Sequence, residues 1–246
     1  MARLAHYFMA SEWRAALIAS VLLFLPLLSW AGASVVGLYA LRRGPQKAPL
    51  VTGLPLVVAT VMAFGFGDSA MLIVLLVTIA LAAILHSTMS WMVVLQIALA
   101  LSIALVFVVG SVYEEVLKSL VAAIKQVVAA PEQLAALGVE SAIVDAWMGS
   151  LAVGALSFVH MVSGLMALVM ARALQAQAYN PGGLKAEFEA IRLTPLFAVG
   201  CLLLMVSGFL VGPWMVRFSP VAALPLMFAG IALVHGLTGM RESKGI

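Results

Sequence analysis

The run from Trp91 to Val112 contains no charged side chain, and several other stretches are nearly as apolar. A helix that spans a bilayer needs roughly 20 consecutive apolar residues. With 65% hydrophobic and only 9% charged residues, the chain has too little polar surface to solvate a globule of 246 residues. The sequence therefore predicts an all-α, polytopic transmembrane bundle in one integral membrane domain, 1–246. Its other candidate spans are 50–66, 70–86, 146–171, 194–212 and 220–239.

The first apolar region, 15–41, is too long for one upright span and has Pro26 in its middle. Proline breaks the helical hydrogen-bond ladder, and membrane helices tolerate it only where neighbours satisfy the freed carbonyls. The region is either one broken helix or two short helices folded back as a hairpin, which gives about seven or eight membrane segments. Ala31-Gly32-Ala33 is typical of a signal-peptide cleavage site. Because the apolar run continues beyond it, we expect the segment to be retained.

The positions of the 13 basic residues predict the orientation, because short cytoplasmic loops collect Lys and Arg. If 15–41 crosses twice from a cytoplasmic N-terminus, only Lys118, Lys125 and Arg217 lie outside. A single crossing adds Arg3 and Arg14 to the outer side. We therefore expect two crossings and two cytoplasmic termini. The basic residues on the inner side are then Arg3, Arg14, Arg42, Arg43, Lys47, Arg172, Lys185, Arg192, Arg241 and Lys244.

The largest external segment, 113–145, has apolar residues at helical spacing, with its charged residues mostly elsewhere on the helical wheel. This pattern predicts an amphipathic helix. Pro131 opens a second short helix that Gly138 can close. We expect the two helices to lie on the outer surface as a lid, and the alternative is a connector at the lipid headgroups. The apolar positions are Val116, Leu117, Leu120, Val121, Ile124 and Val128.

Motifs that carry catalysis are missing from the sequence. There is no GxxxxGK[ST], HExxH, GxSxG or CxxC, and the single cysteine, Cys201, lies in an apolar run. The acidic residues that might serve a proton relay, such as Asp68, Glu114 and Asp145, fall at segment ends. A net charge of +3, scattered along the chain, does not predict nucleic-acid binding. We expect neither an enzyme nor a metal or cofactor site.

One face of the 146–171 helix is small and polar. Ser157 and His160 lie on it near the membrane midplane, and we expect them to line a ligand pocket. Gln96 and His235, the other polar groups within apolar runs, are expected to face the same interior. The alternative is helix packing, since small residues let helices approach closely and Ser or His can bond across the contact. The face comprises positions 150, 154, 157, 160 and 164.

The stretch 175–193, QAQAYNPGGLKAEFEAIRL, interrupts the apolar pattern. Its proline and glycines predict a turn, and residues 184–191 then read as a short helix lying on the cytoplasmic surface. The arginines that flank this helix, Arg172 and Arg192, meet anionic lipid heads, or the segment is a docking surface for a partner. The expected contact residues are Asn180, Pro181, Gly182, Gly183, Phe188 and Arg192.

This stretch, together with Leu41-Arg42-Arg43-Gly44 and Val234-His235-Gly236, resembles the YybS-like family of bacterial membrane proteins. Members of that family run on through another hydrophobic segment, so we expect this chain to be shortened at its C-terminus. In segment order the family is similar to the substrate-binding S components of energy-coupling-factor vitamin transporters and to the rod-shape protein MreD. S components engage a coupling protein through AxxxA steps on their first helix, which implies a partner contact at Ala15 and Ala19.

Two functions follow as expectations. The first is a bacterial inner-membrane module of S-component type, which binds a small molecule or lipid under the external lid and acts with partner membrane proteins in transport. The second is a non-transporting scaffold that recruits proteins through 175–193. Both place the chain in the lipid bilayer.

Overall fold

A computed structural model describes residues 2–25, 28–127 and 140–243. In these ranges the chain is α-helical apart from short connections and contains no strand, which confirms the all-α prediction. Short 3-10 helices lie at Pro45–Lys47 and Pro213–Phe218. The α-helices are α1 Ala2–Met9, α2 Glu12–Phe24, α3 Ser29–Arg43, α4 Pro49–Phe66, α5 Ala70–Thr88, α6 Trp91–Val112, α7 Glu114–Val127, α8 Ser141–Tyr179, α9 Gly183–Glu189, α10 Pro195–Val211 and α11 Ser219–Ser243.

Five helical stretches of the described chain are long and apolar enough to cross a membrane. A sixth is obtained if α1 and α2, which are bent by 112° at their junction, count as one span. Helix α10 is apolar but has only 17 residues. The chain is thus built as a multi-pass membrane protein, whereas the predicted number of seven or eight segments stays a prediction. The five stretches are Pro49–Phe66, Ala70–Thr88, Trp91–Val112, Ser141–Tyr179 and Pro213–Gly236.

Lipid-facing side chains support the same assignment. Phe64 is 84% exposed and Leu196 85% exposed, although both lie in apolar helices. Exposed apolar surface of this kind marks contact with a nonaqueous partner. The helices therefore fit a lipid bilayer.

The chain divides into two compact units. Unit 1 contains residues 1–98, 160–192 and 232–246, and unit 2 contains residues 99–159 and 193–231. Helices α6, α8 and α11 each contribute residues to both units. The prediction of a single domain stays a prediction.

In unit 1, α2 and α3 pack against each other as an antiparallel pair. An ion pair joins Glu12 at the start of α2 to Arg43 at the end of α3. Towards the other end, Gly32 lies so close to α2 that a Cβ there would be 2.6 Å from the carbonyl oxygen of Ala19. Region 15–41 therefore forms two helices, as the hairpin interpretation requires, rather than one.

Small residues also join α3, α5 and the second half of α8 within unit 1. A Cβ on Gly37 would be 3.1 Å from the Ala171 side chain and 3.2 Å from that of Thr78. Gly164 of α8 lies directly against Val77 of α5. Glycine lets helix backbones approach closely in membrane proteins. The small-residue pattern of α8 thus serves packing in this unit.

In unit 2, the 3-10 helix Pro213–Phe218 is fixed from two sides. Gly208 of α10 lies against Val216, and Gly154 of α8 lies against the backbone carbonyl of Arg217, with no room at either glycine for a Cβ. The hydroxyl of Ser219 donates to the carbonyl of Met205 over 2.6 Å. These contacts hold the backbone that carries Arg217.

Candidate functional site

A cavity of about 630 Å³ lies within unit 2, between α7, the first turns of α8 and the 3-10 helix Pro213–Phe218. Pockets for small molecules typically measure about 300–1,000 Å³ and are mainly apolar with a few polar groups. The cavity fits that description. Its apolar lining is Leu117, Val121, Ala122, Ala146, Val153, Pro213 and Trp214, and its polar lining is Glu114, Lys118, Lys125, Asp145, Ser150 and Arg217.

The two lysines of the lining have carboxylate partners. Lys118 Nζ is 2.9 Å from Glu114 and 3.0 Å from Glu115, both on its own helix. The hydrogen bond from Lys118 holds the pKa of Glu114 below its ordinary value, and the two glutamates raise the pKa of Lys118. Lys125 forms an ion pair with Asp145 at the start of α8. The lysine charges are therefore balanced within the chain.

Arg217 differs from these lysines, because no ion pair of its guanidinium is found among the described residues. Its Nη2 donates to the Ser150 hydroxyl over a long 3.4 Å. Its Nε is buried and has no acceptor within the described part of the chain. An arginine keeps its charge at any physiological pH, and an unsatisfied buried donor costs about 1–3 kcal/mol, more if charged. The site thus holds an arginine that has neither a counter-charge nor an acceptor for its Nε in the described chain.

Helix α7 turns a mixed face to this cavity. Its lining positions, 114, 117, 118, 121, 122 and 125, share one side of the helix. Val116, Leu120 and Ile124 form the neighbouring side and are 53%, 40% and 38% exposed. The predicted amphipathic character of this helix is confirmed, and the cavity touches the edge where the charged residues Glu114, Lys118 and Lys125 adjoin the apolar Leu117 and Val121. The predicted second helix, from Pro131 to Gly138, lies outside the described residues.

Ser157 and His160 of α8 are both buried, with exposures of 0% and 5%. The Ser157 hydroxyl donates to the carbonyl of Val153 over 2.8 Å, one turn back along the helix. Ser157 belongs to unit 2, where the last cavity-lining residue of α8 is Val153, whereas His160 belongs to unit 1. A ligand contact for either residue stays a prediction. It is Ser150, on the same small face, that lines the cavity.

Gln96 and His235 are exposed, so the expectation that they are buried is wrong. Each lies on the outer side of its helix, where an apolar sequence gave no sign of which side faces the protein. Both belong to unit 1, unlike Ser157. A ligand contact at these residues stays a prediction.

A second polar cluster lies within unit 1 and centres on Arg172, which is 5% exposed. Its guanidinium forms a two-point ion pair with Glu187 of α9, in which Nε donates over 3.0 Å and Nη2 donates to the other carboxylate oxygen. Its Nη1 donates to Gln175 over 3.3 Å. The Trp91 indole donates to the same Glu187 carboxylate over 3.1 Å. This arginine is fully paired, and we name the group Arg172, Glu187, Gln175 and Trp91 the Arg172 cluster.

A smaller pocket of about 200 Å³ borders the Arg172 cluster. His86 donates from Nδ1 to the carbonyl of Leu41 over 2.9 Å, and the Gln175 amide donates to the same carbonyl over 3.4 Å. The guanidinium of Arg42 lies 4.0 Å above the Tyr179 ring. The groups bordering this pocket are thus bonded to one another, which is typical of a structural network.

The turn Asn180-Pro181-Gly182-Gly183 forms as predicted, with Gly182 at a φ of +86° that favours glycine. Asn180, Pro181 and Gly182 are exposed, and Gly183 is half-buried against Asn180. The helix after the turn, α9, is anchored to the unit by Glu187 and Phe188. Contact of these residues with a partner stays a prediction.

The two side chains singled out beyond the turn are bound within the unit. The ring of Phe188 contacts that of Trp91 edge-on, with centroids 5.2 Å apart. The exposed Arg192 donates to the carbonyls of Glu189 and Ile191, over 2.7 and 2.8 Å. Arg192 thus closes the end of α9. Of the pair, only Arg192 presents its side chain on the surface.

Ala15 and Ala19 are fully buried within unit 1. Their AxxxA step belongs to the helix that packs on α3 at Gly32. Close packing of α2 and α3 requires a small residue at Ala19, and Ala15, one turn earlier, is buried within the same unit. The structure leaves neither with surface to offer another protein.

No group of three His, Cys, Asp or Glu that could hold a metal is found among the described residues. Cys201 is a free, buried thiol. The chain matches no family model, no curated protein and no solved structure.

Sequence reasoning counted Arg217 only as one of the external charges, and it placed Arg172 beside the interfacial helix as an arginine for lipid heads. The second interpretation is wrong, because Arg172 is buried and paired with Glu187. A signal for Arg217 was present, because a lone arginine between two apolar runs indicates a functional group in a membrane protein. No sequence spacing indicates that Arg172 meets Glu187 or that Arg217 meets no carboxylate among the described residues. These depend on tertiary contacts.

Proposed function

We propose that this chain is a membrane-embedded binding protein that takes up an amphipathic small molecule or lipid in the cavity of unit 2. The observation that carries the proposal is the cavity itself, about 630 Å³ with mainly apolar walls and an arginine, Arg217, that has no ion-pair partner among the described residues. The cavity's size and its mixture of apolar walls with a few polar groups are those of small-molecule sites. The resemblance to the YybS-like family and to S components supports the same function, in which a bound molecule is handed on with partner membrane proteins.

The proposal includes a location and an orientation. The protein lies in a bacterial inner membrane with both termini in the cytoplasm, and the α7 side faces outwards. The charge distribution supports this topology, because Lys118, Lys125 and Arg217 belong to the basic-poor side. The cavity then opens where a substrate arriving from outside, or from the outer leaflet, can reach it.

Filling the cavity tests this function. Gly149 lines the cavity, and a Cβ there meets nothing within 4 Å, so Gly149→Phe can place a ring in the open space without moving the backbone. Gly200→Phe is the matched control, because Gly200 lies in α10, is equally unobstructed and does not line the cavity.

Both variants are purified in nonionic detergent, and bound molecules are counted by native mass spectrometry. We expect Gly149→Phe to lose them and Gly200→Phe to keep the wild-type pattern. Equal retention by both variants contradicts the proposal.

A second candidate function is the non-transporting scaffold, favoured by the exposed turn at Asn180, Pro181 and Gly182 on a firmly anchored α9. A rigid, exposed turn suits recognition by a cytoplasmic protein. Pull-down with Pro181→Ala and Arg192→Ala, both at exposed positions, tests it. Phe188→Ala adds a comparison that loosens the anchor at Trp91. Unchanged partners in all three variants contradict the scaffold.

A further inference from the structure

We propose that the cavity of unit 2 recognises the phosphate of an anionic lipid through Arg217. The inference rests on the proposed function and specifies its ligand. It starts from charge balance along the lining. The cavity is lined by three cations, Lys118, Lys125 and Arg217, and two carboxylates, Glu114 and Asp145. Each carboxylate is already paired with a lysine. The remaining positive charge is that of Arg217.

The guanidinium of Arg217 also lacks acceptors. Its hydrogen bond to Ser150 is long, and its Nε is buried without an acceptor in the described chain. A guanidinium presents several N–H donors in a planar fork, which matches the oxygens of a phosphate and binds two of them at once. A phosphate beside Arg217 supplies both the missing charge and the missing acceptors.

Positional rigidity makes Arg217 a recognition group. The backbone of the 3-10 helix is fixed by Gly154, and the neighbouring Val216 and Phe218 are buried. Phe218 contacts the rings of Phe107 and Trp214, with centroids 5.9 and 6.1 Å away. An arginine on a rigid segment loses little further freedom when it binds, which favours affinity.

The apolar walls decide between a lipid and a free phosphate. Leu117, Val121, Val153 and Trp214 line the same cavity as Arg217. A free anion would leave these walls in contact with water, whereas the glycerol and first acyl carbons of a lipid cover them. Burial of apolar surface contributes about 25 cal/mol per Å². The ligand that satisfies both parts of the lining is a lipid with an anionic phosphate head.

The test uses the full chain, stripped of lipid in nonionic detergent and titrated with defined lipids under native mass spectrometry. Phosphatidylglycerol, phosphatidylcholine and diacylglycerol with identical acyl chains compare an anionic phosphate, a zwitterionic phosphate and no phosphate. Inorganic phosphate, added alone or as a competitor, distinguishes a free anion from a headgroup. We expect phosphatidylglycerol to bind most tightly and diacylglycerol least, and inorganic phosphate not to compete at equal concentration.

Variants at Arg217 test whether this residue binds the phosphate headgroup of the lipid. Arg217→Met is expected to weaken phosphatidylglycerol binding about tenfold or more, from the loss of charged hydrogen bonds, and to leave diacylglycerol binding unchanged. Arg217→Lys keeps the charge without the fork and is expected to bind with intermediate affinity, in a protein that folds even if the methionine variant does not. Arg14→Met removes the same charge from an exposed site in unit 1 and is expected to bind like the wild type.

Three results overturn the inference. Wild-type affinity for phosphatidylglycerol in both Arg217 variants excludes the arginine as the recognition group. Equal binding of phosphatidylglycerol and phosphatidylcholine excludes recognition of net charge, and effective competition by inorganic phosphate excludes the lipid. If Gly149→Phe still loses its bound molecules in those cases, the proposed cavity function stands and only the ligand assignment fails. If Gly149→Phe also binds normally, both fail.

Discussion

Arg172 and Arg217 are two arginines in a chain with few charges, and the two units treat them differently. In unit 1, Arg172 is almost fully buried and has Glu187 and Gln175 as partners. In unit 2, Arg217 lines a cavity, and the described chain offers it one long hydrogen bond, to Ser150. A buried charge is tolerated when it is paired and hydrogen-bonded. Arg172 therefore stabilises its own unit, whereas the charge of Arg217 has no ion-pair partner in the described part of the chain.

The two sites differ in whether the arginine has a counter-charge and hydrogen-bond acceptors among the described residues. Both belong to helices beside apolar sequence, so residue type alone does not separate them. In the Arg172 cluster, the charge and the hydrogen-bond donors of the arginine are satisfied by Glu187 and Gln175. In the cavity of unit 2, the charge of Arg217 has no counter-charge and its Nε has no acceptor among the described residues. The predictions below act on this difference.

The largest effect is expected from Glu187→Gln. This change leaves the buried Arg172 without a counter-charge, and breaking a buried pair costs about 3–5 kcal/mol. Thermal unfolding in detergent measures the loss, and Arg172→Met combined with Glu187→Leu is expected to restore most of it, because no lone charge is left. Arg217→Met is the comparison and is expected to leave stability unchanged or to raise it, because it removes a buried donor that has no acceptor in the described chain. Equal losses from Glu187→Gln and Arg217→Met would contradict the distinction.

Gly154→Ala is expected to destabilise the protein next most strongly. The added methyl meets the backbone carbonyl of Arg217, and forced overpacking costs about 1–3 kcal/mol. Gly149→Ala, five positions earlier in α8, meets nothing within 4 Å and is expected to be neutral or slightly stabilising. Thermal unfolding of the two variants compares them. Similar losses in both would mean that Gly154 does not fix the Arg217 segment.

Trp91→Phe is expected to cost about 1–2 kcal/mol. The change removes the indole donor to Glu187 but keeps a ring beside Phe188. Trp214→Phe is the matched control, since Trp214 is 53% exposed, and it is expected to change stability little. Thermal unfolding again provides the measurement. A larger loss of stability from Trp214→Phe than from Trp91→Phe would contradict the conclusion that the structural polar network lies at Arg172 in unit 1.

The smallest effect concerns the Glu114–Lys118 pair of α7. The pKa of Glu114 is lowered from its ordinary 4.5, so the pair's contribution to stability is present above pH 4.5 and is lost as the pH falls through the lowered value. Glu114→Gln is therefore expected to unfold slightly earlier than the wild type at pH 6 and together with it in strong acid. Thermal unfolding across that range measures the gap. A gap that widens with acidification would have the wrong sign.

The membrane character and the helical class were predictable from composition and run length, because long uncharged stretches allow few alternatives. The turn at Asn180-Pro181-Gly182-Gly183 was predictable as well, since proline and glycine restrict the backbone locally. Which side of a uniformly apolar helix faces the protein was not. Gln96 and His235 were therefore expected inside and lie outside.

The candidate site was predictable only in part. A cavity beneath the 113–145 segment was expected, and α7 does line one, but its polar lining includes Ser150 and Arg217 and does not include Ser157 or His160. The helical spacing of small residues along α8 identified a small face, but it does not show which part of that face packs against other helices. Contact of Gly154 with Arg217 joins residues far apart in sequence. Such contacts decide where a cavity remains.

The most direct test gives Arg217 the internal partner that Arg172 already has. Ser150→Asp places a carboxylate where the hydroxyl now accepts from Arg217 Nη2, and Ser150→Asn is the uncharged control. The measurement is the unfolding temperature of each variant with and without phosphatidylglycerol. We predict that Ser150→Asp unfolds at a higher temperature than Ser150→Asn without lipid and gains no further stability from it, whereas the wild type is stabilised by the lipid. If phosphatidylglycerol stabilised Ser150→Asp as much as the wild type, this result would contradict the proposal that Arg217 binds an anion.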